Sequence, residues 1–188
     1  MDAAENANLP EDVTPEILAR LRAGDAEAGR VLERVYRGAI IRCCIGYLGR
    51  LEEAEDAVQE IFFKVLRSDR VPEDFRAWVY KIARNHCLNL IRSRVRHPGQ
   101  ELPGDTLLHE SQTGNLTRLL KMERRDELHK VLATLSDTQR EALRLRYTEG
   151  LSRTQIAEVL ELPESVVKSR LFEGLKKLRE FASLMSRA

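Results

Sequence analysis

The chain has 188 residues, 43% of them apolar and 32% charged, enough for one packed domain or two small ones. Its 31 Lys and Arg nearly cancel 30 Asp and Glu, and a net charge of +1 by itself predicts no nucleic-acid partner. No apolar run approaches the ~20 residues of a membrane span, so no membrane insertion is expected.

The acidic N-terminus lacks the basic region of a secretory signal. Three cysteines, two of them adjacent, make a poor disulfide framework and point to a reducing, cytoplasmic compartment. Charge is segregated along the chain. Residues 1–16 hold five acids and no Lys or Arg, whereas residues 84–97 hold Arg84, Arg92, Arg94 and Arg96 and no acid. Segregation of this kind points to separate partner surfaces.

Helical periodicity dominates, and the fold class expected is all-α. Residues 1–13 read as a loose acidic tail. Thr14 and Pro15 offer a cap and a first helical residue, and Gly24 ends that short helix near Arg22. Asp25 caps the next helix, whose stripe is Val31, Leu32, Val35, Ala39, Ile40, Cys43 and Tyr47. Residues 51–68 form an amphipathic helix. Ala54, Val58, Ile61, Phe62, Val65 and Leu66 share its apolar side, and the acids suit its other face and the positive end of its dipole. Pro72 marks a loop, and a long helix covers about 74–93.

Residues 97–115 carry Pro98, Gly99, Pro103, Gly104 and Gly114 and read as a linker between a domain at 14–96 and one at 116–188. In the second domain a helix carries Leu119, Leu120, Leu128, Val131, Leu132 and Leu135. Helices over 137–148, 153–160 and about 164–181 follow.

The stretch "GLSRTQIAEVLELPESVVKSRL" stops one helix and starts another within a few residues. Ser136 with Gln139, and Ser152 with Gln155, have the spacing of capping boxes. Gly150 suits a left-handed helix end and Pro163 a helix start. Ile156, Ala157 and Leu160 then pack against Val167, Leu171, Leu175 and Leu178. Two short helices joined by a tight turn make a helix-turn-helix, which holds its second helix proud of the core for a DNA major groove. Glu164, Ser165, Lys168, Ser169, Arg170 and Glu173 would face outward. The pattern alone leaves open an ordinary packed pair with a solvated charged face.

The helix over 74–93 is a second candidate surface. Phe75, Val79, Ile82, His86 and Leu90 form one apolar stripe, and Lys81, Arg84, Asn85 and Arg92 line a polar gap. Aromatics among basic residues suit single-stranded nucleic acid, whose bases stack and whose phosphates need charge. Phe75 reads as core; Trp78 fits core or surface equally. His86 and the cysteines lack paired zinc-ligand spacing, and no catalytic constellation or phosphate-binding Gly loop occurs. Neither an enzyme nor a metal or other cofactor is expected.

"AEDAVQEIFFKVLR", "DFRAWVYKIARNHCLNLIRSR" and "LSDTQREALRLRYTEGLSRTQIAEVLELPESVVKSRLFEGLKKLRE", in that order, resemble a bacterial RNA polymerase sigma factor of the extracytoplasmic-function (ECF) group. The resemblance implies a sigma-2-like and a sigma-4-like helical domain that bind RNA polymerase core and direct it to promoter DNA. It places core binding on Asp56, Gln59, Glu60 and Phe63. It places −10 element recognition on Arg76, Trp78, Lys81, Arg84, Asn85 and Arg92, with residues 68–74 helping to hold a flipped base. It places −35 element recognition on Ser165, Val166, Lys168, Ser169 and Arg170, within the matching stretch 163–177. It also implies control by an anti-sigma factor. The alternative is a stand-alone helix-turn-helix regulator that binds duplex DNA without polymerase.

Overall fold

A computed structural model describes residue 13 and residues 15–70, 72–96 and 132–185. The chain divides into two compact units, Met1–Leu107 and Leu108–Ala188. Among the described residues all regular structure is helical. The predicted linker 97–115, the cap Thr14, and Leu119, Leu120, Leu128 and Val131 lie outside the described residues.

Among the described residues of the first unit are four helices: α1 (Pro15–Arg22), α2 (Ala26–Leu48), α3 (Leu51–Arg67) and α4 (Phe75–Arg96). Local chemistry sets most of their ends. Gly24 adopts φ 83° after α1, a backbone region open to glycine without steric cost. The Asp25 carboxylate accepts from Glu27 N and Ala28 N and so caps α2. The Asp74 carboxylate accepts from Ala77 N at 2.8 Å at the start of α4. Helices α2, α3 and α4 pack on one another, and α1 packs on α2 and α3.

The core of this unit differs from the predicted stripes in several places. On α2, Tyr36, Cys44 and Leu48 are buried with Leu32, Ile40 and Cys43, whereas Val31, Val35, Ala39 and Tyr47 are half-buried. On α4 the buried set is Phe75, Ala77, Trp78, Val79, Tyr80, Ala83 and Cys87. Ile82, His86 and Leu90 are only half-buried. The reason is that α4 touches both α2 and α3, so its core-facing arc spans two neighbours and is wider than one stripe. Val13, assigned by sequence to the loose tail, is buried. Helix α4 also continues to Arg96, past the expected end at residue 93.

The second unit contains α5 (Asp137–Tyr147), α6 (Arg153–Leu160) and α7 (Glu164–Met185). Ser136 and Ser152 form complete capping boxes with Gln139 and Gln155. Gly150 adopts φ 67° between α5 and α6. All three helices pack on one another. Helices α5 and α7 pack closely at Gly174, where a Cβ would lie 2.8 Å from Leu143 Cδ1. Ile156, Val159, Leu160, Val167 and Leu171 are buried, while Ala157, Leu175 and Leu178 are half-buried.

Candidate polymerase and promoter interfaces

Helix α3 buries Ala54, Ala57, Val58, Ile61, Phe62 and Val65. Its period of 3.6 residues then forces the other side into solvent. Asp56, Gln59 and Glu60 are exposed there, and Phe63 is 47% exposed. The Arg67 guanidinium sits 4.0 Å from the Phe63 ring centroid, a cation–π contact that holds the ring on the surface. Leu66, predicted to face inward, is 38% exposed. The outer face of α3 therefore pairs carboxylates in its first half with large apolar groups in its second. Such a face suits a protein partner that offers both a basic and an apolar surface.

The solvent side of α4 exposes Asn85, Asn89 and Arg92, with Lys81, Arg76 and Arg84 half-buried. Arg92 Nη1 donates to Asn89 Oδ1 at 3.4 Å. Trp78 is only 5% exposed. Its ring stands edge-on to Phe75 at 5.7 Å, and Phe75 stands edge-on to Tyr36 at 5.2 Å. The structure thus puts Trp78 in the core, so its ring offers no open face for a base to stack on.

Arg94 also leaves the basic end of α4: its Nη2 lies 2.6 Å from Glu53 Oε2. The loop before α4 is tied at two points. Arg70 N donates to Ser68 Oγ at 3.2 Å, and Arg22 Nη2 donates to the Arg70 carbonyl at 2.7 Å. Arg22 comes from α1, a loop contact that no local motif announces.

Lys64 and His86 form a further link between α3 and α4. Their Nζ and Nδ1 atoms lie 2.7 Å apart. An ammonium only donates, so Nδ1 accepts and the imidazole carries its proton on Nε2. Burial pushes the His86 pKa below 6.5, the Lys64 charge adds to this, and Glu60 opposes it.

The corner between α6 and α7 answers why one helix stops and another starts. Glu161 adopts the left-handed conformation, φ 56° and ψ 46°, which reverses the chain. Leu162 N donates to Ala157 O at 3.0 Å, closing the end of α6. Pro163 stands one position before the first helical residue, and its carbonyl accepts from Val166 N and Val167 N. The N-terminus of α7 is tied back to α6. Thr154 Oγ1 donates to Glu164 Oε2 at 3.3 Å, and Arg153 Nε lies 3.6 Å from Glu164 Oε1.

From this fixed start α7 exposes Ser165, Lys168 and Ser169, with Val166 and Arg170 half-buried. Arg170 Nη1 is buried and has no hydrogen-bond partner. Phe172, absent from the sequence-based set, is 67% exposed one turn beyond Lys168; only the helical register, four residues on, could have flagged it. Glu173 faces outward as expected and is exposed, but it is also hydrogen-bonded on both carboxylate oxygens. It accepts from Gln139 Nε2 at 3.0 Å and from Ser169 Oγ at 2.9 Å.

The sequence matches Sigma-70 region 2 over residues 32–97 and Sigma-70 region 4 over residues 125–178. These matches cover well over half of the chain and fall on either side of the boundary between its two units. The chain belongs to the ECF group of the sigma-70 family. It is 29% identical to the RNA polymerase sigma-H factor of Pseudomonas aeruginosa over 178 residues, covering 88% of this chain and 92% of that one. It is 28% identical to the ECF RNA polymerase sigma factor SigW of Bacillus subtilis, covering 87% and 93%. The fold is similar to that of the sigma factor RpoE of Bartonella quintana, solved with the anti-sigma factor NepR. That likeness has a TM-score of 0.55 and 24% identity, and covers 89% of this chain and 92% of the other. Sigma factors are non-enzymatic transcription initiation factors, and this sigma factor shares that role. Among its described residues no helix is long and apolar enough to cross a membrane.

Proposed function

We propose that this sigma factor divides its work among three surfaces. The outer face of α3, with Asp56, Gln59, Glu60 and Phe63, docks on RNA polymerase core. Residues 68–74 and the polar side of α4, with Arg76, Lys81, Arg84, Asn85 and Arg92, engage the −10 element. Helix α7, with Ser165, Val166, Lys168, Ser169 and Arg170, enters the major groove at the −35 element. The observation that carries this reading is the presentation of α7. Its start is fixed by the Glu161 corner and by Glu164, while Ser165, Lys168 and Ser169 stay open to solvent. A rigid helix with hydroxyl and cationic groups on its free side fits base edges and phosphates.

Control by an anti-sigma partner belongs to the same proposal, supported by the RpoE–NepR complex of similar fold. The place of action is the cytoplasm, in keeping with three buried cysteines that form no disulfide.

The test separates the surfaces. A double variant, Asp56→Ala with Gln59→Ala, should bind core at least ten-fold more weakly while the promoters it selects stay the same. Lys168→Ala should leave core binding intact, weaken promoter binding by the holoenzyme, and reduce the salt slope by about one. Normal core binding by the first variant together with an unchanged salt slope in the second would refute the assignment.

A further inference from the structure

The hydrogen bonds around Gln139 fix more than the start of α5. Gln139 is almost fully buried and sits where α5 meets α7. Its Oε1 accepts from Ser136 N at 3.1 Å and from Lys177 Nζ at 3.2 Å. Both partners are donors, so the amide oxygen must face them and the amide nitrogen must face the other way. That nitrogen donates to Glu173 Oε2 at 3.0 Å. Lys177 is held from a second side, donating to Thr134 O at 2.8 Å. The orientation of the Gln139 amide is thus set by the capping box and by a lysine.

Glu173 passes the constraint on. Its second oxygen, Oε1, lies 2.9 Å from Ser169 Oγ. An ionised carboxylate only accepts, and a serine hydroxyl has one proton to donate. The Ser169 proton therefore points at Glu173, and the hydroxyl shows solvent only its lone pairs. Ser169 is exposed on the side of α7 that also carries Ser165 and Lys168.

We propose that Gln139 and Glu173 act as positioning residues that make Ser169 an acceptor-only reader of the −35 element. This rests on the reading that α7 enters the major groove there. A serine free to rotate can serve any base edge. An acceptor-only serine takes the exocyclic amine of adenine N6 or cytosine N4 and rejects guanine O6 and thymine O4. The capping box of α5 thereby reaches the DNA-facing surface through three side chains. The fold contributes to base choice through a residue, Gln139, that touches no DNA.

The experiment uses holoenzyme reconstituted on core polymerase and a promoter library randomised across the −35 element, read by sequencing the transcripts. The wild-type protein should prefer adenine or cytosine over guanine or thymine at one position of the contacted strand, and Ser169→Ala should remove that preference. Glu173→Ala and the equal-sized Glu173→Gln should each reduce the same preference roughly five-fold, the worth of about one hydrogen bond, with other positions unchanged. Gln139→Ala should give a smaller loss at the same position. If Ser169→Ala changes one position and neither Glu173 variant does, the proposal fails and the reading of α7 stands. The proposal also fails if the Glu173 variants weaken every position alike, as a displaced helix would, or if Ser169→Ala changes nothing while Lys168→Ala does. If Ser169→Ala and Lys168→Ala both leave the whole profile unchanged, the reading of α7 falls with it.

Discussion

Arg94 Nη2 lies 2.6 Å from Glu53 Oε2, joining the last turn of α4 to the first turn of α3 across 41 residues of sequence. Both side chains are largely shielded, at 21% and 26% exposure. Each charge also suits its helix end, an acid near a positive N-terminus and a cation near a negative C-terminus. Arg94→Ala should therefore destabilise the first unit by about 1–2 kcal/mol, more than a typical surface pair. Trp78, the one tryptophan of the chain, is buried in that unit and reports its unfolding by fluorescence in urea. Adding Glu53→Ala to Arg94→Ala should cost less than the sum of the two single effects. Full additivity would show that the pair is not coupled.

The corner before α6 depends on a cap. Ser152 Oγ accepts from Gln155 N at 3.1 Å, and Gln155 Oε1 accepts from Ser152 N at 2.9 Å. Ser152→Ala should lower the stability of the second unit by about 1 kcal/mol. Circular dichroism should record an earlier loss of helix, while Trp78 fluorescence, from the other unit, should keep its midpoint. A shift of the fluorescence midpoint equal to the loss of helix would contradict this.

These helix starts were legible in the sequence because a cap is a local device, written within four residues. Asp25, Ser136 and Ser152 lie where the residue pattern puts them, and Pro163 lies one position before the helix it was expected to start. The buried arc of α4 was less legible. Apolar residues occur on several of its sides, and only its contacts with both α2 and α3 decide that Trp78 is core and Ile82 peripheral. The link from Gln139 to Glu173 spans 34 residues. It exists because α5 and α7 meet closely at Gly174, a packing result that no periodicity announces. The same holds for Arg22 and the loop carbonyl of Arg70.

His86 supplies a pH dependence. Its pKa is lowered from 6.5, first by burial and then by the Lys64 charge. Between the folded value and 6.5 the unfolded chain binds more protons than the folded one, so stability rises with pH through that window. The first unit should lose stability as pH falls below 6.5, and this contribution should be flat above it. His86→Gln, which keeps an acceptor for Lys64 but cannot titrate, should flatten the slope below 6.5. Other groups also titrate there, so the comparison between variant and wild type is the readout. An identical slope in both would remove His86 as a cause.

Promoter selection by this sigma factor should require RNA polymerase core. The direct measurement mixes the purified chain with RNA polymerase core and a library of promoter fragments, and sequences the transcripts. Transcripts should come from a subset of fragments sharing two spaced elements, and the chain alone should bind DNA weakly. Tight, sequence-specific DNA binding by the isolated chain, with no core binding and no transcripts, would contradict the requirement for core.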